Sequence, residues 1–214
     1  IYGDKIKYKD NILLLVTCSG HADCITTLYN IYGNKTKDID NVLMMAVCND
    51  HADCITTLYN IYGDKIDVNA VDFCNDNPLL LAVRSGYDDC ITALYNAFGD
   101  TIDVNAVNYR NGKTVLEAAI NVCNFGKFYR VIKLLKIFGK KIHTNLDKVL
   151  VSAFSQCFYC EDLLVALYRY CNDNIDWNSD YLLKNNIIFA ALVSGYDSQK
   201  RLQTLYKYWG DKID

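Results

Sequence analysis

The apolar positions of this chain fall into short blocks that recur along its length. Six blocks are strongly apolar: Asn11–Ser19 (NILLLVTCS), Asn41–Asn49 (NVLMMAVCN), Asn77–Ser85 (NPLLLAVRS), Thr114–Val122 (TVLEAAINV), Asp147–Phe154 (DKVLVSAF) and Asn185–Ser194 (NNIIFAALVS). A short apolar run also suits a buried strand, but Ala-rich stretches and an opening Asn, Asp or Thr able to cap free N–H groups predict helices. Pro78 sits just inside the third block, where its missing donor costs nothing. After each block and a short turn comes a second pattern. In His51–Gly63 (HADCITTLYNIYG), Ile55, Leu58, Tyr59 and Tyr62 fall at three- and four-residue spacings and Cys54 and Ile61 widen the stripe. Asp53, Thr56, Thr57 and Asn60 lie elsewhere on the wheel, so the stretch predicts an amphipathic helix with one packed face.

That second stretch is a letter-for-letter copy of His21–Gly33, with looser versions at Tyr87–Gly99, Phe128–Gly139 and Tyr196–Gly210. The chain is therefore an array of one supersecondary unit. Gly3, Gly33, Gly63, Gly99, Gly139 and Gly210 mark its phase, with Asn172 in the sixth place, at spacings of 30, 30, 36, 40, 33 and 38 residues. Gly and Asn both tolerate the left-handed conformation at a helix C-terminus, so Asn172 is expected to do what the glycines do. The expected architecture is an all-α solenoid of about six helix-turn-helix repeats, 4–33, 34–63, 64–99, 100–139, 140–172 and 173–210, in a single array over 1–214. Neither helix of a pair can bury its apolar face alone, so pairs must stack on pairs.

The linkers divide the array. After Gly63, Gly99 and Asn172 they run long, and after Gly3, Gly33 and Gly139 they are about eight residues. The long ones have room for a projecting two-residue hairpin, and Asn111-Gly112 is a dipeptide that favours one. The short ones do not. The start, Ile1-Tyr2-Gly3, reproduces the end of a repeated helix, and the close, GDKID, falls at the same phase, so the chain reads as a fragment of a longer protein.

Composition narrows the class. At 51% hydrophobic and 22% charged residues the chain has ample apolar surface to fold. A net charge of −3 excludes an overall basic nucleic-acid binder while leaving room for a local basic patch. No apolar run approaches the roughly 18 residues of a bilayer span, and IYGDKIKYKD lacks the apolar centre of a signal peptide. Of the ten cysteines, Cys24, Cys54 and Cys90 recur at one helical position and Cys18 and Cys48 at another. That is the behaviour of small buried residues, so free thiols and a cytoplasmic setting, of the producing cell or of a host, are expected.

Candidate chemistry is sparse. His21-Ala22-Asp23-Cys24 and its copy at His51 hold metal-capable side chains, but an acid at a helix start is favoured by the dipole and a recurring Cys by packing. Cys157-Phe158-Tyr159-Cys160 has half-site spacing with no second pair, and reads as two structural cysteines one turn apart. His143 reads as a turn residue. No phosphate loop, nucleophile elbow or zinc-protease motif is present, so no catalytic residue, cofactor or metal is assigned, and the protein is not expected to be an enzyme. One charge pattern stands out. Lys127, Arg130, Lys133 and Lys136 step by three and are followed by Lys140 and Lys141, with no acid among them. This stripe suits an acidic partner, a phosphorylated segment or an anionic membrane surface, or is simply a solvated face.

Gly99–Ile120, GDTIDVNAVNYRNGKTVLEAAI, resembles the ankyrin repeat. Asp103-Val104-Asn105-Ala106 matches the family's D-V-N-A, Gly112-Lys113-Thr114 its turn and cap, and Leu116 with Ala118-Ala119 its first helix. Asn77-Pro78-Leu79-Leu80-Leu81-Ala82 is similar to T-P-L-H-x-A without the histidine, and Gly20-His21 and Gly86-Tyr87 to the G-H that joins the helices. The resemblance implies an ankyrin-like solenoid with short β-turn fingers in some repeats. It also implies a histidine that bonds the inter-helix turn, and a protein partner met by linker tips and the first-helix face. The tips are Asp72, Phe73, Asn75 and Asp76; Asn108, Tyr109, Arg110 and Asn111; and Trp177, Ser179, Asp180 and Tyr181. Whether Phe73, Tyr109 and Trp177 project or tuck back onto neighbouring fingers is open. The alternative to an interaction module is a structural spacer or targeting segment of a larger enzyme or effector. Richness in Asn, Lys, Ile and Tyr fits an AT-rich genome, compatible with an intracellular pathogen or a virus.

Overall fold

Short helices of six to twelve residues pack in pairs, as the alternating apolar blocks require. A computed structural model describes residues 9–33, 36, 38–121, 128–143, 146–155, 161–188, 191 and 198–213. They form two units, 1–112 and 113–214. The first contains α1 (Lys9–Cys18), α2 (Ala22–Tyr32), α3 (Ile39–Cys48), α4 (Ala52–Tyr62), α5 (Pro78–Ser85) and α6 (Asp88–Phe98). Each odd helix packs on the even helix that follows; α1, α3 and α5 lie side by side as one layer and α2, α4 and α6 as another. The core between the layers is continuous from Val42, Leu43 and Val47 through Ile55 and Leu58 to Leu79, Val83, Ile91 and Leu94, all at most 1% exposed.

The second unit contains α7 (Val115–Asn121), α8 (Tyr129–Phe138), α9 (Leu146–Ser155), α10 (Glu161–Cys171), α11 (Asp180–Asn185) and α12 (Ser198–Trp209). Here α7, α9 and α11 form one layer and α8, α10 and α12 the other. Trp209, fully buried, donates from Nε1 to Asn172 Oδ1 at 2.7 Å. Strand residues among those described are Val107–Asn108 (β1) and Lys113–Thr114 (β2). Each unit is thus the expected all-α stack of helix pairs.

Capping agrees with the sequence at two of the six first helices. Asn77 Oδ1 accepts from Leu80 N at 2.8 Å, with Pro78 in the first turn. Thr114 and Glu117 form a reciprocal box, Glu117 N donating to Thr114 Oγ1 at 3.3 Å and Thr114 N to Glu117 Oε2 at 3.0 Å. Elsewhere the expected starts are displaced. α1 begins at Lys9, not Asn11; α9 begins at Leu146, so Asp147 is inside it; and α3 is capped by Asp38, whose Oδ1 accepts from Asn41 N at 3.3 Å.

The phase markers are not one device. Gly33, Gly63 and Gly99 have φ of +65°, +52° and +51°, the left-handed region that favours glycine. Gly139 has φ −32°, and Asn172 is not among the positive-φ residues. The expectation that Asn172 replaces glycine by tolerating left-handed backbone is therefore wrong; its side chain is there to receive Trp209. Gly139 is needed instead for close approach, since a Cβ there would sit 2.6 Å from Tyr170 Cβ.

After the second helix the chain makes a single 3-10 turn, as at Gly63–Lys65 and Gly99–Thr101, and then buries an isoleucine, Ile66 or Ile102. The D-V-N segments that follow tie successive linkers together. Asn69 Oδ1 accepts from Asp103 N and its Nδ2 donates to Thr101 O, each at 2.8 Å; Asp40 Oδ1 accepts from Asp67 N at 2.8 Å. In the second unit Asn174 Nδ2 donates to Ile142 O at 3.0 Å. Of the short linkers, residues 4–8, 34, 35, 37, 144 and 145 lie outside the described residues.

Candidate functional site

The two long linkers of the first unit end in tight loops built by their own polar side chains. Asp72 Oδ1 accepts from Cys74 N at 2.7 Å and Asp76 N at 3.0 Å, while Asp72 N donates to Asp76 O at 3.0 Å. Asn75 closes this loop at φ +60°, a conformation Asn tolerates better than most residues. Phe73, on the loop, is 83% exposed. In the next linker Asn108 Oδ1 accepts from Arg110 N at 2.9 Å and Asn111 N at 3.2 Å, and Gly112 N donates to Asn108 O at 2.8 Å. Tyr109 projects from it, 82% exposed, with Arg110 and Asn111 also exposed. Four residues, Tyr109–Gly112, separate the strands, and only Gly112 has positive φ, so the expected two-residue Asn111-Gly112 hairpin is not formed. Asn108 has taken over the turn.

Two of the expected tip residues are interior. Asn108, 3% exposed, donates from Nδ2 to Cys74 O at 2.9 Å and to Asp76 Oδ1 at 2.6 Å. Asp76, fully buried, also pairs through Oδ2 with Arg84 Nη2 at 2.7 Å. A carboxylate without such partners is costly to bury. Arg110 Nη2 donates to Phe73 O, so three hydrogen bonds join the two loops. The outcome for the open question is split: the rings of Phe73 and Tyr109 project while their backbones are tied together. Beside Phe73 a groove of about 380 Å³ runs along α3, its apolar lining including Met44, Met45 and Val71 and its acids being Asp38, Asp40 and Asp72.

The third expected tip is no finger. Ser179 Oγ accepts from Leu182 N at 3.2 Å and donates to Asp147 Oδ2 at 2.9 Å, capping α11. The segment expected to be linker therefore becomes a short helix in contact with α9; it ends at Asn185, and Asn186, at φ +38°, separates it from residues 187, 188 and 191, which are helical within the expected Asn185–Ser194 range. Leu182, 5% exposed, supplies the apolar contact that drives this. Trp177 is half-buried, its ring 5.8 Å from that of Trp209. Asp180 is exposed and lies 3.9 Å from Lys184 Nζ; Tyr181 lies on α11, its side chain outside those described.

The basic stripe is not one solvated face. Lys127 lies outside the described residues. Arg130 is 6% exposed, donating from Nη2 to Tyr129 OH at 2.9 Å, because a step of three drifts back across the packed side of a helix with 3.6 residues per turn. Lys133 is half-buried and Lys136, Lys140 and Lys141 are exposed. Lys133 and Lys136 share a groove of about 720 Å³ with Arg169 of α10, a residue the stripe did not include.

The copied histidines and cysteines are structural where they are buried. His51 Nε2–H donates to Cys18 O at 2.9 Å, thirty-three residues back, so it bonds the preceding pair rather than its own turn. Its ring fills the space at Gly20, where a Cβ would come within 2.8 Å. His21 is exposed, and His143 Nδ1–H donates to Lys141 O at 3.0 Å within its turn. Cys18, Cys24, Cys48, Cys54, Cys74, Cys90 and Cys171 are free thiols. Burial pushes the Cys54 thiol up to about 11 and that of Cys171 up to about 12. Cys90 is raised by burial first and then by donating to Asp50 Oδ1 at 3.4 Å. Such thiols stay protonated near neutrality and are poor nucleophiles and ligands. Cys24, expected to be buried like its counterparts, is exposed. Cys157 and Cys160 lie outside the described residues. Among the described residues no group of three metal-capable side chains converges, and no helix is long and apolar enough to cross a membrane.

The D-V-N segments at 67–69 and 103–105 recur in one repeating frame, and a family model described as ankyrin repeats (3 copies) matches residues 43–147. Residues 43–147 are ankyrin repeats. Ankyrin repeats are in general non-catalytic protein–protein interaction modules. No curated protein matches the chain. Within these repeats sequence reasoning missed Asn69, which joins adjacent linkers, and the same joining role of Asn108, a residue it placed at a tip. Their signal was a polar residue at the same phase in successive linkers, Asn69 with Asn105 and Asp72 with Asn108.

Proposed function

We propose that this ankyrin array is a protein-interaction module whose partner docks on the linker tips and first-helix face of the first unit, with Phe73 and Tyr109 as anchors. The supporting observation is a pair of aromatic rings, 83% and 82% exposed, on loops whose backbones are fixed by side-chain hydrogen bonds. Exposed aromatics on a pre-ordered scaffold are the usual material of binding hot spots, because a ring with few torsions buries ~150–250 Å² at small entropic cost. The adjoining groove beside Met44, Met45 and Val71 extends the apolar contact, and Asp38 and Asp40 on its edge favour a partner with complementary cations.

The test is a quantitative pulldown with the full chain, wild type against Phe73→Ala/Tyr109→Ala, with Asn60→Ala on α4 as control. The double variant is expected to lose the specifically retained protein by about tenfold or more, at a melting temperature close to wild type, because exposed rings contribute little to stability. Retention of the same protein at the same level by the double variant rejects the anchors.

A further inference from the structure

The groove between α8 and α10 brings cations together over an apolar lining. These helices meet through Val131, Leu134 and Leu135 on one and Leu163, Leu164 and Leu167 on the other, all at most 1% exposed. Beside that seam a space of about 720 Å³ remains, open along the second-helix layer and floored by Ile132, Ile137, Val165 and Ala166. Three cations line it, Lys133, Lys136 and Arg169, against one carboxylate, Asp162. In a chain of net charge −3 this is a local reversal of sign. Tyr129 and Tyr170 complete the lining, and Tyr129 is 51% exposed.

We infer that the α8–α10 groove is a second docking site, and that its occupant is an acidic segment of a partner protein carrying aliphatic or aromatic side chains between its carboxylates. The cations select negative charge, and Arg169 in particular offers a planar fork matched to a carboxylate. The apolar floor excludes a purely ionic ligand as the best fit, since a free phosphate gains nothing from Ile132 or Val165. It also disfavours a bilayer, whose headgroups meet an exposed stripe, whereas here the floor is recessed between two helices and Arg130 has left the stripe for the interior. A side chain entering between charges uses both features at once: the apolar group is desolvated while the carboxylates stay at the wet margin.

The experiment selects a random dodecapeptide display library on the full chain, with counter-selection on Lys133→Glu/Lys136→Glu. Peptides enriched on the wild type and not on the variant are expected to carry an excess of Asp and Glu together with at least one Leu, Ile, Phe, Tyr or Trp. A selected peptide labelled with fluorescein should then bind at least tenfold more weakly to Lys133→Glu/Lys136→Glu, weaken as salt is raised, and be unaffected by Lys65→Glu/Lys212→Glu. Should the double reversal unfold the chain, Lys136→Gln alone at the exposed position is expected to weaken binding about threefold at an unchanged melting temperature. No differential enrichment, or enrichment of peptides without acidic excess, overturns the proposal. So does sedimentation with phosphatidylserine vesicles that depends on the same two lysines while no peptide does, which assigns the groove to an anionic membrane.

Discussion

The helices α2 and α4 have identical sequences and different surroundings. Both run from the Ala to the second Tyr of HADCITTLYNIYG, Ala22–Tyr32 and Ala52–Tyr62, and both stop at a glycine of positive φ, Gly33 or Gly63. Local structure is thus the same wherever the letters are the same. Burial is not. Ile25 and Ile55 are both fully buried, because each faces the first helix of its own pair. Leu58 and Cys54 are fully buried and Tyr62 is 6% exposed, while Leu28 and Tyr32 are half-buried and Cys24 is exposed. Among the described residues α4 has second-layer neighbours on both flanks, α2 and α6, and α2 has one, α4. In a stacked array the helix is written in its own residues, but its contribution to the core is written by what stands beside it.

The largest consequence is energetic. Leu58→Ala removes a side chain enclosed on all sides and is expected to cost about 3 kcal/mol, within the ~2–5 range of buried Leu→Ala changes. The same substitution at Leu28 leaves a site already open to water and is expected to cost about 1 kcal/mol. Urea unfolding of the two variants, read as midpoint shifts at constant slope, makes the comparison directly. Equal losses would show that the two copies are equally enclosed and break the distinction.

A smaller difference is expected at the histidine that opens each copy. His51→Ala removes the donor to Cys18 O and empties the contact with Gly20, for about 1–1.5 kcal/mol. His21→Ala, at an exposed position, should stay within about 0.5 kcal/mol of wild type. Thermal melts of the two single variants measure this, and a cost at His21 matching that at His51 would mean that the exposed copy is held as firmly as the interior one.

The same contrast explains what could be read from the letters alone. Helix positions, the pairing of strongly apolar and amphipathic segments and the ankyrin frame were legible because periodicity, capping chemistry and D-V-N-A are local. Asn77 and Thr114 act as caps as their types suggest, since a cap bonds only three residues on. What was not legible depends on partners distant in sequence. Asp76 and Asn108 have the composition of tip residues, yet they bond each other across thirty-two residues and leave the surface. Arg130 belongs to a basic run by spacing and to the interior by rotation about the helix. Ser179 looked like part of a projecting linker until its bond to Asp147, also thirty-two residues away, made it a cap. Of the candidate site, the sequence put Phe73 and Tyr109 on linkers and left open whether their rings project, while Arg169 was out of reach because it stands a whole repeat from the lysines it joins.

The least costly test uses the cysteines, where the two copies differ in chemistry and not in stability. A thiol reacts as its thiolate, and burial holds the Cys54 thiol up at about 11 against an ordinary value near 9. At pH 8 that lowers its thiolate fraction about a hundredfold, before any steric shielding is counted. Iodoacetamide is therefore expected to label Cys24 readily and Cys54 only after unfolding. Peptide mapping separates the copies despite their identity, since their flanking Lys35 and Lys65 give different fragments. The sign of the pH effect follows from the same shift. With the folded value above the unfolded one, the stabilising contribution of Cys54 is complete below about pH 9 and is lost as pH rises through 11. Protection of Cys54 should thus fade in the alkaline range as both the thiolate and the unfolded population increase, while Cys24, already open to solvent, gains no access from unfolding. Equal labelling of Cys24 and Cys54 at pH 8 in the folded chain would sink the claim that neighbours, rather than sequence, set the interior of each copy.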